Sequence, residues 1–267
     1  MTAIAKLAED RTVEGTYAVA RKRRLRTRSG HDYLALELVD PSGRIDGRVW
    51  HDVELLDARF GEGDAVRVLG RVERYRDRLQ LDVRAIEPAD DTDPVELTPA
   101  LRRDPDELEG FLDFLAADIH DDGLRALVAR VLAVSPLRAY PATLDGHHSY
   151  AGGLLEHTVG VATICRELCQ LHPRLRADLL LAAALVHDVG RTQELGPGPI
   201  FRPTEEGTLL GHVQLGLRLL EREGAPAELQ HAVAVHHDAR AAKTAEAAAL
   251  YHANVLDAVA ATRPVGD

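Results

Sequence analysis

A disulfide framework, a membrane span and a rich aromatic core are all missing from this sequence. Its 267 residues include two cysteines, one methionine and one tryptophan, and aromatics make up only 4%. Two cysteines cannot staple a scaffold. Cys165 and Cys169 stand four apart on an apolar helical pattern, as buried thiols of a reducing compartment do. The longest apolar run, Leu179–Val186, falls far short of the roughly 20 residues that cross a bilayer. Met1-Thr2-Ala3-Ile4 leads into early charges without an apolar stretch, so no secretory signal is expected. An excess of positive charge is missing too: 32 Lys+Arg face 43 Asp+Glu, a net charge of −11. The expectation is a soluble cytoplasmic protein of one or two domains with no membrane partner.

The shortage of positive charge is uneven. Residues 1–90 hold 17 Lys+Arg and 17 Asp+Glu, so the whole acidic excess lies beyond them. Within the neutral part runs Arg21-Lys22-Arg23-Arg24-Leu25-Arg26-Thr27-Arg28, six basic residues in eight. For phosphate binding such a cluster outweighs the charge of the whole chain. A solvated strand edge carries the same pattern.

From Thr12 to Glu87 apolar residues recur with period two. Expected strands are Val13–Arg23, Asp32–Val39, Arg44–Trp50, Ala65–Tyr75 and Arg78–Ile86, with a short helix at Val53–Ala58. Ser29-Gly30, Asp40-Pro41-Ser42-Gly43, Gly61-Glu62-Gly63-Asp64 and Arg76-Asp77 punctuate them. Five short strands with a helix after the third outline an all-β OB-fold barrel over residues 12–88, a common oligonucleotide platform. An SH3-like barrel would give similar counts. Residues 89–104, rich in proline and aspartate and without apolar period, read as a linker.

Over residues 105–263 the pattern turns helical, with expected helices at Pro105–Ile119, Gly123–Val134, Tyr150–Leu171, Ala177–Val189, Leu209–Glu223, Ala227–His237 and Thr244–Ala261. Gly196-Pro197-Gly198-Pro199 interrupts them as a loop or hairpin.

Histidine is abundant, with thirteen in the chain. His157 follows Gly152-Gly153-Leu154-Leu155-Glu156. His187-Asp188 ends an apolar helix ahead of Gly190, placed as a helix C-cap. His212 follows Gly211, His236-His237 closes a helix, and Asn254 and Asp257 lie one turn apart on one face. Imidazole and carboxylate are the ligand set of Mn, Fe, Zn or Ni. A His-Asp pair at a helix end can hold one ion, or bridge two that polarise a phosphate and supply a hydroxide nucleophile. His172, His231 and His252 carry the ordinary reading of surface or core residues. His147-His148 fits a loop equally well.

The spaced set His157…His187-Asp188…Asp257 resembles the HD-domain metal-dependent phosphohydrolases, an all-helical superfamily. Longer runs narrow the likeness. His147-His148-Ser149-Tyr150-Ala151-Gly152-Gly153-Leu154-Leu155-Glu156-His157-Thr158 is similar to the segment opening the HD domain of the YhaM-type 3′→5′ exoribonucleases. Leu185-Val186-His187-Asp188-Val189-Gly190-Arg191, and Thr204-Glu205-Glu206-Gly207 running on to Leu210-Gly211-His212, are similar too. That family places an OB-fold before its HD domain, so the likeness covers about Val13 to Ala261. The implied fold is multi-domain, an N-terminal all-β OB-fold barrel followed by an all-α HD-domain helical bundle.

The resemblance implies His157, His187 and Asp188 as metal ligands, with His212, His236 and His237 serving a second ion. It implies one or two divalent ions per chain, typically manganese, with iron, cobalt and magnesium as alternatives. The implied substrate is single-stranded RNA or DNA, shortened from its 3′ end to nucleoside 5′-monophosphates. Asp188 would bridge the ions, with Arg191 and His148 neutralising charge on the reacting phosphate. Arg21, Lys22, Arg23 and Arg24 are the expected phosphate contacts. Tyr33, Trp50 and Tyr75 are candidate stacking platforms worth about 1–3 kcal/mol per base, with barrel filling the other reading for Trp50.

Two departures from the family pattern matter. Its lysine after His-Asp-x-Gly is Arg191 here, which still binds phosphate, and bidentately. A family acidic ligand is Asn254, whose amide oxygen is weaker and uncharged, and Asp257 is the expected substitute. Rival readings are a phosphohydrolase of nucleotides or cyclic dinucleotides on the same fold, and a weakly active scaffold that binds single strands. RNA against DNA and a homo-oligomeric state are left open by the residues.

Overall fold

A computed structural model describes residues 3–76, 78–97, 101, 103–144, 146–196 and 201–262, without the side chain of Val95. The chain divides into two compact units, one of Met1–Ala100 and one of Leu101–Pro197 with Phe201–Asp267.

The first unit is a closed five-stranded barrel of β1 (Thr12–Arg26), β2 (Asp32–Asp40), β3 (Gly43–Val49), β4 (Ala65–Tyr75) and β5 (Arg78–Pro88), in the order β1-β2-β3-β5-β4. The five-residue α1 (Val53–Asp57) lies between β3 and β4. β3 runs parallel to β5, and every other pair is antiparallel. This closure is that of an OB-fold and not of an SH3-like barrel. Strand β1 pairs with β4 through Ala18 and with β2 from Ala18 onward, with a bulge between Val19 and Arg21. Such a bulge bends a strand so that it can serve two neighbours. The alternation read in the sequence is the pleat: Tyr17, Leu34, Leu36, Leu38 and Leu81 are all at most 2% exposed.

Two expectations need correction here. The linker is not bare chain, because β5 continues to Pro88, Ala89 donates its N–H to Ala65 O, and a 3₁₀ turn at Pro94–Leu97 follows. Ala89 and Leu97 are buried with Ala18, Val39 and Ala65. The barrel also begins before residue 12, where Ile4 and Leu7 pack into its core and Asp40 Oδ2 accepts the Ile4 N–H. Asp77 of the expected Arg76-Asp77 turn lies outside the described residues.

The second unit is all helical: α2 (Pro105–Ala117), α3 (Asp122–Ala133), α4 (Gly153–Leu171), α5 (Ala177–Val186), α6 (Arg191–Glu194), α7 (Glu205–Arg222), α8 (Ala227–Ala234) and α9 (Ala245–Thr262). Asp104 and Asp121 cap α2 and α3 by accepting main-chain N–H groups with their side chains. Every residue of α5 from Leu179 to Val186 is buried. It packs against α2, α3, α4, α8 and α9, as expected of a helix apolar all round.

Helix α5 ends at Val186, earlier than the apolar pattern predicts, and Gly190 is not its C-cap but the entry to the unforeseen α6. Helix α7 starts at Glu205 and is broken at Gly211, whose φ of 70° and ψ of 165° leave the helical region. Of the expected Gly196–Pro199 interruption, Gly196 donates to Arg202 O and Leu195 bridges Pro203; Pro197, Gly198 and Pro199 lie outside the described residues.

A candidate metal centre and a candidate strand-binding face

In the helical unit five elements deliver imidazoles and carboxylates to one place. His157 comes from the first turns of α4, His187-Asp188 from the end of α5, His212 from α7, and His236-His237 from the turn after α8. Asn254 and Asp257 come from α9. Gly190 permits this convergence. A Cβ there would collide with the His212 carbonyl and lie 2.6 Å from Gly216 N.

Asp188 is the hub, 4% exposed. Its Oδ1 lies 3.2 Å from His212 Nε2 and 3.4 Å from His236 Nε2, and its Oδ2 lies 3.9 Å from His187 Nε2. His187 Nε2 is 3.3 Å from His157 Nε2, and His212 Nε2 is 3.0 Å from His237 Nε2. Three sets of ligand atoms therefore lie within ion-binding reach: His157/His187/Asp188, Asp188/His212/His236/His237 and, without Asp188, His148/His157/Asp257.

The hydrogen bonds fix the tautomers that a metal needs. His187 Nδ1 donates to Ala184 O at 2.8 Å, and His236 Nδ1 to Val233 O at 2.6 Å. With Nδ1 so engaged, each ring turns Nε2 toward Asp188. Burial lowers His187 to about 3, with Asp188 opposing. Burial and then His236 lower His237 to about 4. Burial raises the Asp188 carboxyl, but His187, His236, Arg191 and His212 hold it well below the usual carboxylate range. Asp188 Oδ1 and His236 Nε2 are buried without a hydrogen-bond partner. A buried carboxylate just past a helix C-terminus, with an unpartnered oxygen among imidazoles, calls for a cation. The donor set fits a divalent ion.

Asp257 groups with His148 and His157 and not with Asp188. Its Oδ2 bonds His157 Nδ1 at 2.6 Å and His148 Nε2 at 3.0 Å, on the edge of the His157 ring away from His187. Its Oδ1 packs against α4 at Gly160, where a Cβ would strike it. Asp257 is thus the outer carboxylate that orients His157. Burial raises its carboxyl, and hydrogen bonds from His148 and His157 outweigh this and hold it far below the usual range.

His148 also departs from its expected contact with phosphate, since both of its ring nitrogens are occupied. Nε2 meets Asp257, and Nδ1 lies 2.9 Å from Tyr150 Oη, which donates to Glu156 Oε2 at 2.5 Å. Burial lowers His148, but hydrogen bonds to Asp257 and Glu156 raise it to about 9. It is a charged strut behind Asp257.

Asn254 is buried, and its Nδ2 donates to His236 O at 3.4 Å. The amide oxygen is the neutral donor atom this position offers. Arg191 Nη1 bonds Glu194 Oε2 at 2.7 Å, while its buried Nε, without a hydrogen bond, stands 3.7 Å from Asp188 Oδ2.

The centre includes three groups not foreseen as site residues. The His147 ring lies 5.1 Å from that of His157 and is lowered to about 4, first by burial and then by His157. The other two are the Tyr150–Glu156 pair and Glu194. Glu194 had a signal in its position three residues after Arg191, on the same side of any helix.

In the barrel the predicted contacts part company. Tyr33 and Trp50 stack, with ring centroids 4.9 Å apart and planes at 28°, and Trp50 is 43% exposed. Tyr17 and Phe60 are the aromatics that fill the barrel. Tyr75 closes the β4–β5 hairpin opposite Arg78. The β3–β5 register sets it at the far end of β3 from Trp50, so it does not join the pair.

Lys22 is not a free cation. Its Nζ donates to Asp57 O at 2.7 Å and Phe60 O at 2.5 Å and pairs with Asp57 Oδ1 at 2.9 Å. It caps α1. Arg24 and Arg26 both bind Asp32. Arg21 and Arg23 remain exposed. In the outward row nearest the aromatic pair, Arg23 lies opposite Ala35 and Ala35 opposite Arg48. Arg21 instead lies opposite Glu37, beside Asp46.

Both units match known families. A model of the OB-fold nucleic acid binding domain matches residues 13–89, and a model of the HD domain matches residues 154–259. The 3′-5′ exoribonuclease YhaM of Halalkalibacterium halodurans is 30% identical over 227 residues, covering 78% of this chain and 69% of that protein. The YhaM proteins of Bacillus subtilis and Bacillus licheniformis are 29% and 27% identical, each over 78% of this chain and 71% of theirs. The order of the two folds and the histidines gathered round Asp188 thus come with an alignment along most of both chains, and this chain belongs to the YhaM family of 3′→5′ exoribonucleases.

Proposed function

We propose that the chain is a divalent-metal-dependent exonuclease that removes nucleotides from the 3′ end of single-stranded RNA in the cytoplasm, releasing nucleoside 5′-monophosphates. The observation that carries this reading is Asp188. Its two oxygens are divided between His187 on one side and His212 and His236 on the other, and its Oδ1 has no hydrogen-bond partner. Among the described residues no helix is long and apolar enough to cross a membrane.

In this reading His157, His187 and Asp188 hold one ion, and Asp188, His212, His236 and His237 hold another, with Asn254 offering a neutral oxygen. Manganese is the preferred ion. Divalent ions bound there supply Lewis acidity at the scissile phosphate and lower the pKa of a coordinated water. The chain's own groups do the rest. Asp257 accepts the His157 Nδ1 proton and so keeps Nε2 turned inward. The cationic His148 keeps Asp257 ionised. Arg191 directs its unoccupied Nε toward the space beside Asp188, where a phosphate oxygen would meet it.

The barrel holds the strand. Bases stack on the exposed Tyr33–Trp50 pair while phosphates meet Arg23 and Arg48 on either side of the small Ala35. Arg21 stands one row further, where Glu37 and Asp46 offset its charge.

The test is incubation of the manganese-loaded protein with a 5′-labelled single-stranded RNA oligonucleotide, alongside Asp188→Ala. A ladder shortening from the 3′ end, absent with the variant, is expected. An oligonucleotide left intact by both would overturn the exonuclease and favour small phosphodiesters or binding alone.

A further inference from the structure

We propose that Glu194 is a positioning residue that sets Arg191 and His212 in place together, so that phosphate binding and the His212 side of the metal centre depend on one carboxylate. This rests on the metal centre proposed above and adds a residue outside it.

Glu194 closes the single turn α6 and is held at both ends. Its main-chain O accepts the Thr204 N–H at 2.8 Å. Gly207 packs so tightly against that same carbonyl that a Cβ would collide with it. The side chain is then aimed at two targets. Oε2 accepts Arg191 Nη1 at 2.7 Å, while Oε1 accepts the His212 main-chain N–H at 3.2 Å and lies 3.6 Å from His212 Nδ1. The break at Gly211 makes the second contact available, since a helix interrupted there leaves main-chain N–H groups without regular acceptors on the far side. Glu194 thus caps the second half of α7 from a distant point in sequence.

The geometry has a directional consequence. Glu194 lies on the Nδ1 side of the His212 ring, and His212 Nε2 faces Asp188 Oδ1 at 3.2 Å. An outer carboxylate in this position orients a ligand ring and raises its basicity. On the Arg191 side, anchoring Nη1 leaves Nε turned toward Asp188. Asp257 stands on the same side of the His157 ring, there within hydrogen-bond distance of Nδ1 at 2.6 Å. Each of these two histidines thus has a carboxylate behind it.

The experiment measures Mn(II) binding to the full chain by the electron paramagnetic resonance of free Mn(II), with kcat and KM on a single-stranded RNA oligonucleotide measured in parallel. Wild type, Glu194→Ala and Glu194→Gln are compared. In Glu194→Ala one ion is expected to bind with wild-type affinity and the other to weaken about 10–100-fold, with KM raised. Glu194→Gln keeps an acceptor for the His212 N–H and should lie between the two. Both ions bound by Glu194→Ala as tightly as by wild type would overturn the inference. So would equal weakening of both ions, which marks general loosening of the fold. A wild-type protein that binds no Mn(II) would overturn the metal centre itself, and this assignment with it.

Discussion

Asp257 Oδ2 lies 2.6 Å from His157 Nδ1, behind the ring that turns its Nε2 toward His187. The same oxygen receives His148 Nε2, so one carboxylate holds two imidazoles. Asp257→Asn leaves an oxygen of similar size but removes the charge that both rings face. Metal affinity is expected to fall about 10–100-fold. Metal content after dialysis against a weak chelator checks it, and content equal to wild type would refute the outer role.

Asp188→Asn preserves shape and removes the shared charge. The expected loss in kcat is on the order of 10²–10³-fold, the scale for deleting one preorganised electrostatic contact. Unlike Asp257→Asn, it should weaken every bound ion. Manganese titration of the two variants side by side separates these outcomes.

Trp50 is the chain's one tryptophan, and it sits half exposed against Tyr33. Adding a single-stranded oligonucleotide should quench its fluorescence, and Tyr33→Ala should weaken that binding by about 1–3 kcal/mol. Tyr75→Ala should leave the titration unchanged, because Tyr75 lies at the other end of β3. Fluorescence indifferent to the oligonucleotide would remove this pair from the interface.

Among the basic residues, stability and binding should come apart. Lys22→Ala strips Asp57 O and Phe60 O of their donor and should cost about 1–3 kcal/mol. Arg23→Ala should leave stability within about 0.5 kcal/mol, and Arg48→Ala, which loses a hydrogen bond to Gly47 O, should cost about 0.5–1.5 kcal/mol. Each should reduce the salt dependence of strand binding by about 0.7 in the log–log slope. Urea unfolding and binding isotherms at several salt concentrations read the two effects.

The metal-free protein should carry a pH signature from His148, raised from 6.5 to about 9. A raised cation stabilises the fold fully below its unfolded value, and that contribution is lost as pH rises through the folded value. The stability gap between wild type and His148→Asn should therefore be widest below pH 6.5 and close as pH approaches 9. Urea midpoints at intervals across that window are the measurement, and a gap that widens toward pH 9 would contradict the ion pairing.

The barrel strands and the hub histidines were legible because alternation and spacing are written in local sequence. Second-layer contacts were not. That Lys22 caps α1 depends on the bulge after Val19, which turns it toward Asp57, and periodicity does not announce a bulge. Asp257 read as a ligand because spacing along a helix places a residue on a face without saying which edge of a neighbouring ring it meets. The contact between Glu194 and His212 is hidden for a similar reason. His212 is eighteen residues away and becomes reachable only through the break at Gly211. The contact of His148 with Asp257 on α9 is likewise set by tertiary packing, which spacing in the sequence does not show.

Helix α5, buried on all sides, delivers His187 and Asp188 from its end. A helix so enclosed has no face on which a change of volume goes unnoticed. Widening Ala182, Ala183 or Ala184, each 0% exposed, would push against neighbouring helices and displace the carboxylate by a fraction of an ångström. Hydrolysis would then register the internal fit of this unit, and some inactive variants would carry their lesion far from any atom that meets RNA.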